Sequence, residues 1–193
     1  MINKHAMTPD QELLLTQITE LRNKAVALRF EYWKKFEVFE PQWWLLFALL
    51  LVPVIIWWKL IEKKRFSQIS FVGFLVAIIA LELDMIGSEL SLWRYPHKFI
   101  FISPRQIPID FSVLPVLYMA AYQYISGWKQ YLMVSLILAL FYSFFAEPIL
   151  VYMGIYELLI WKHWYSLPIY LAISVFVKWL ADSLEKWRCD KLL

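Results

Sequence analysis

From residue 43 onward the chain is a succession of long apolar runs separated by short polar or aromatic-rich breaks. The first run, WWLLFALLLVPVIIWWKL over 43–60, has a tryptophan pair near each end, where indoles settle at the two membrane–water interfaces. Pro53 is a candidate kink within it. Four further runs cover about 69–88, 108–125, 131–147 and 166–181. Each approaches the ~20 residues that cross a bilayer as a helix. The pattern predicts an all-α polytopic membrane bundle of five spans.

Ahead of the runs, residues 8–38 read as an amphipathic helix. Thr8 is placed to cap it, Pro9 fits the first helical position, and Gln11 completes a capping box. Leu14, Ile18, Leu21, Ala25, Leu28 and Tyr32 recur at alternating spacings of four and three, a heptad stripe. Three partners suit such a stripe: the membrane surface, the protein's own loops, or a second copy of the chain, which would make an oligomer. Glu40-Pro41 ends it. Two other segments, 89–107 and 148–165, are too polar to span and too apolar for ordinary loops, and are read as interfacial or re-entrant. The chain then divides into an N-terminal helical segment (1–41), a five-span domain (42–183) and a charged tail (184–193).

Composition agrees with a multi-pass protein of the cell membrane: 61% of the 193 residues are hydrophobic and 19% are aromatic, against about 45–50% apolar in soluble domains. The formal charge of +3 is too small to suggest a nucleic-acid partner. Lys and Arg fall almost evenly on the two sides, so the positive-inside bias sets no orientation. The single cysteine, Cys189, excludes an intrachain disulfide or a cysteine zinc site. His5, His97 and His163 show no metal-ligand spacing, and no glycine loop suited to phosphate is present, so neither a metal nor a cofactor is expected.

The acids at the run ends carry the chemical interest. Taking the face that bears the N-terminal helix as side A, the second and fourth runs arrive there and the third and fifth depart from it. At 1.5 Å per residue Asp84 lies roughly 20 Å along its run. Glu147 ends the fourth run and Asp110 stands in the first turn of the third. All three therefore belong to side A at similar height. A carboxyl at that depth normally faces a bundle interior or a wet cavity. Asp110 also suits a helix N-terminus for stability alone. Glu82 is a candidate partner of Arg94 or Lys98, while Glu89 and Glu157 read as interfacial. Trp93, Tyr95, Trp161 and Trp164 are the candidate cavity aromatics, although such residues favour interfaces regardless of function.

The second half repeats the first. Asp84 is followed by Trp93, Tyr95, Pro108 and a helix; Glu147 by Tyr156, Trp161, Trp164, Tyr165, Pro168 and a helix. The stretch Asp84…Trp93-Arg94-Tyr95…Pro108-Ile109-Asp110 resembles the membrane-bound lycopene cyclase family. There an acid ends one helix, a Trp-x-Tyr element follows, and a Pro-aliphatic-acid motif opens the next. EPILVYMGIYELLIWKHWYSLPIY is similar to the corresponding units of related carotenoid-pathway membrane proteins. The cyclases carry paired acids after that proline, whereas Phe111 follows Asp110 here. Over most of its length the chain looks like small five-span membrane proteins of spore-forming Gram-positive bacteria, a likeness that implies membrane localisation and no activity.

Three functions fit these residues. A lipid or membrane partner would bind through an acidic and aromatic pocket on side A. An isoprenoid cyclase or isomerase would use Asp84, Asp110 or Glu147 as a buried acid, with aromatic faces stabilising a carbocation. A small proton-coupled carrier would use the same carboxyls.

Overall fold

The computed structural model describes residues 7–190, with side chains to Trp187. His5 lies outside the described residues, as does the side chain of Cys189. The molecule is an all-α bundle with one short two-stranded ribbon. Its elements are α1 (Pro9–Phe36), α2 (Pro41–Leu60), α3 (Phe66–Glu89), β1 (Trp93–Arg94), α4, α5 (Trp128–Tyr152), β2 (Glu157–Leu158) and α6 (His163–Asp190). α4 opens with a π-helical turn, Ile109–Val113, and continues through Leu114–Tyr124.

Among the described residues, four helices are long and apolar enough to cross a membrane: α2, α3, α5 and α6. α2 makes the physical case most simply. Its mean hydropathy is 2.0, yet only 6% of its residues are buried within the protein. A helix apolar all round with so little protein cover is stable in lipid and not in water. The protein is membrane-embedded. The third sequence run forms only the shorter α4, which packs on α3 and α2.

The boundaries depart from the sequence expectation in two places. α5 does not stop at Glu147 but runs to Tyr152, and α6 begins at His163, upstream of Ser166. Glu147 therefore lies more than a turn inside its helix. α6 continues through charged residues to Asp190.

Both π-helical turns have the same cause. Leu114 N–H bonds back to Ile109 and Glu147 N–H to Tyr142, each immediately before a proline, Pro115 or Pro148. A proline ring clashes with the carbonyl four residues earlier and offers no N–H. Widening the turn before it re-routes the ladder.

The repeat is structural. Arg94 and Glu157 are 63 residues apart and face each other across the β1–β2 ribbon, and the same offset relates Asp84 to Glu147 and Trp93 to Tyr156. It also relates the two helix ends. Ser91 (φ 54°) and Gly154 (φ 70°) are left-handed, and Leu92 N–H reaches Gly87 O as Ile155 N–H reaches Leu150 O, both at 2.9 Å. Each is a helix stop that turns the chain back over the bundle.

The core lies between the two units. Ile69, Val72 and Val76 of α3 meet Leu114, Tyr118 and Tyr122 of α4, Tyr131 and Tyr142 of α5, and Ile173 and Val177 of α6. α1 carries the anticipated capping box. Its stripe is uncovered, with Leu14, Ile18, Leu21 and Leu28 all exposed. The recorded ring contacts to the body are near its C-terminus, where Phe30 and Trp33 pack on Phe101.

Candidate functional site

The helix stop at Ser91 sends β1 back across the end of α3. Gly87, one turn beyond Asp84, has no side chain because the Trp93 indole occupies that space; a Cβ there would overlap the ring. Trp93 Nε1 then donates to Asp84 Oδ1 at 2.8 Å, and Tyr95 Oη donates to the same oxygen at 2.5 Å. The backbone N–H of Gln106 donates to Asp84 Oδ2 at 2.8 Å. Three donors thus converge on one buried carboxyl.

Asp110 stands in the π-helical turn of α4 and is buried. Its Oδ2 is buried without a partner, and so is Gln106 Oε1. Glu147 makes the equivalent centre of the second unit. Tyr170 Oη donates to its Oε1 at 3.0 Å, and His163 Nδ1 lies 3.0 Å from its Oε2. Trp161 Nε1 donates to Ser166 Oγ at 3.0 Å.

These groups line one cavity of about 120 Å³. Asp84, Asp110 and Glu147 are all among its walls, with Trp93, Tyr95, Tyr156, Trp161 and Tyr170. Apolar residues complete it, among them Ala80, Leu83, Leu114, Leu150, Ile169 and Ile173. Leu83, one of its lining residues, is 38% exposed. Tyr95 stacks on Tyr156 with centroids 5.4 Å apart, and Trp93 meets Trp161 edge-on at 5.2 Å. Burial first, then the Asp84 carboxyl, holds the Tyr95 phenol well above its ordinary range. Burial, with Glu147 second, does the same to Tyr156. Both connector phenols are therefore neutral, not phenolates.

Of the sequence candidates, Trp164 is not in this cavity: it is 56% exposed and packs on Tyr165. Glu82 pairs with Arg105 at 3.5 Å, not with Arg94 or Lys98. Arg94 instead clasps Glu157, with two hydrogen bonds of 2.8 Å. Sequence reasoning did not single out Gln106, Ser166 or Tyr170. The last two were accessible through the repeat, since Ser166-Leu-Pro-Ile-Tyr170 stands where Gln106-Ile-Pro-Ile-Asp110 stands in the first unit. Among the described residues, no three His, Cys, Asp or Glu side chains gather as metal ligands.

No protein-family model, curated protein or solved structure matches the chain. The site's own geometry carries the functional reading.

Proposed function

We propose that this is a five-span protein of the cell membrane, α4 being the fifth crossing, and that its side-A cavity binds one lipid or isoprenoid amphiphile. The observation that carries this reading is the cavity's mixed wall. Aliphatic side chains, aromatic rings and three carboxyls line it together. A ligand with an apolar chain and a head that donates hydrogen bonds matches that lining. Drug-sized ligands occupy clefts of about 300–1,000 Å³. This smaller space takes a head and a few carbons, with the rest of the chain leaving beside Leu83 into lipid. Purifying the protein in mild detergent and identifying co-purified small molecules by mass spectrometry tests the reading. One amphiphile at near one-to-one stoichiometry supports it, and none above background counts against it.

A second reading has its own observation: the unpartnered Asp110 Oδ2 beside Asp84 in an aromatic enclosure. An acid so placed can protonate a polyprenyl double bond, with neighbouring rings stabilising the cation. Incubating membranes with a panel of polyprenyl substrates tests it. Turnover that is lost in Asp110→Asn supports acid catalysis; no turnover across the panel removes it.

A further inference from the structure

α1 is a 28-residue helix in which no residue is buried. Helices in proteins draw most of their stability from packing an apolar face, so one this long and this bare has its partner elsewhere. The uncovered face is the stripe: Leu14, Ile18, Leu21, Leu28, Tyr32 and Phe36 are all exposed. It differs from the face that meets the body, where Phe30 and Trp33 pack on Phe101. Phe39 is left-handed (φ 65°) and Pro41 opens α2, so α1 does not run on into that span. The Phe39 ring meets Trp43 edge-on at 5.3 Å, and Trp43 and Trp44 stand in the first turn of α2. Tryptophans there settle at the membrane–water interface, which brings the end of α1 to that level.

Charge identifies the partner. At about 100° per residue, Arg22 and Arg29 flank the stripe on one side, Lys24 and Lys35 on the other. Glu12, Glu20 and Glu31 lie farther round; Asp10, in the first turn, is the acid of α1 nearest the stripe. Among the described residues, none of the four flanking cations forms an ion pair. The C-terminal part of α1 also borders a groove of about 460 Å³ against the first connector, whose walls include Arg29, Glu31, Tyr32, Lys35, Glu37 and Lys98. Glu37 is already engaged there, accepting the Lys98 N–H. Burial first, then the charge of Arg29, lowers the Lys98 ammonium from its ordinary range. The two cations thus lie close together, and an anion between them relieves both. A second copy of the chain fits the stripe badly. In a parallel pair Lys24 would face the partner's Arg29, and in an antiparallel pair Arg22 would face the partner's Arg29. An anionic lipid surface meets the apolar stripe and both cationic flanks at once.

We propose that α1 docks on an anionic bilayer surface, its stripe entering the boundary between headgroups and acyl chains while Arg22, Lys24, Arg29, Lys35 and Lys98 meet lipid phosphates. This surface is separate from the side-A cavity and does not depend on what that cavity holds. The flanking cations reach phosphates while their methylene stems stay along apolar surface. Each such cation favours the docked helix about fivefold. A zwitterionic surface offers the same apolar boundary without net charge, so docking there is weaker.

The test places a thiol-reactive, environment-sensitive fluorophore on the full chain in nanodiscs loaded with one copy or with two. Cys189→Ser removes the chain's single thiol, and Leu21→Cys or Asn23→Cys supplies one on the stripe or on the opposite face. Both positions are exposed, so neither change touches the core. The discs hold phosphatidylcholine alone or with an equal part of phosphatidylglycerol, and acrylamide, a neutral quencher, reads access to the label. The proposal expects the label at 21 to be quenched at least about threefold less than the label at 23 in single-copy anionic discs. That protection should shrink in neutral discs, and at about 1 M salt, where charges are screened beyond ~3 Å. It should also shrink in Arg22→Glu/Arg29→Glu. Equal quenching at 21 and 23 in anionic discs overturns the proposal. Protection that is the same in neutral discs and survives high salt overturns it too, since the partner is then uncharged. Protection seen only in two-copy discs assigns the stripe to a second copy instead. The lipid and salt comparisons need no charge variant, so a double variant that fails to fold does not blunt the test.

Discussion

Asp84 is the residue on which the site turns. Its two oxygens accept three hydrogen bonds from two connector side chains and one backbone amide. Asp84→Asn would set an NH₂ against at least one of these donors. The expected cost is about 1.5–3 kcal/mol, the range for hydrogen bonds to charged groups, read as a drop in melting temperature of the purified protein. Gly87 gives a sharper test of the same contact. Gly87→Ala drives a methyl into the Trp93 ring, which should cost about 1–3 kcal/mol through overpacking. The change should add little in a Trp93→Leu background, because both act on one contact. The depth of Asp84, Asp110 and Glu147 was legible from the sequence, since helix parity alone brings them to one side. Their partners were not. Whether Trp93 or Trp164 turns inward depends on how each connector leaves its helix, and hydropathy does not encode that.

The elements of greatest consequence are the two connectors, because they close the cavity. Their ribbon is fastened at its centre by the Arg94–Glu157 pair. Hydrogen bonding to Arg94 lowers the Glu157 carboxyl from its ordinary range, and hydrogen bonding to Glu157 raises Arg94. Because Glu157 is lowered in the folded state, its stabilisation is present above the ordinary glutamate pKa near 4.3 and lost as pH falls through the lowered value. The protection factors of the Leu159 and Ile160 amides, which both bond to Leu92 O, should therefore fall below about pH 4. Glu157→Gln should show lower protection already at pH 7 and little further change on acidification. The apolar runs announced these helices, but the π-helical turns and the extension of α5 to Tyr152 could not be read from hydropathy. They arise from Pro115 and Pro148 acting on the backbone ladder, an effect invisible to a periodicity of side chains.

At the scale of the whole molecule, a polar stripe runs the length of α6. Ser166, Tyr170, Ser174, Lys178 and Asp182 recur every fourth residue and face the bundle. Ser166 and Tyr170 belong to the cavity. Ser174 Oγ lies 2.5 Å from Ser135 Oγ of α5. Lys178 sits among the rings of Tyr122, Trp128 and Tyr131, 3.3 Å from Asp182. The stripe ties α6 to α4 and α5 through groups that lipid cannot satisfy. Lys178→Met leaves Asp182 with the Tyr122 hydroxyl but no cation and should cost at most the ~3–5 kcal/mol of a broken buried pair. Adding Asp182→Leu should recover most of the loss, with thermal unfolding in detergent as the readout. The spacing of four was present in the sequence, but the hydropathy of the run masked it.

The central claim is that the three acids enclose a space made for an amphiphile, and occupancy of that space tests it most directly. Wild type, Ile169→Phe and Ile160→Phe should be purified side by side and their retained amphiphile quantified by mass spectrometry. Ile169 lines the cavity, whereas Ile160 is exposed on the second connector. The account predicts that wild type and Ile160→Phe retain about one molecule per chain and that Ile169→Phe loses most of it. Equal retention in all three, or none in any, would contradict it.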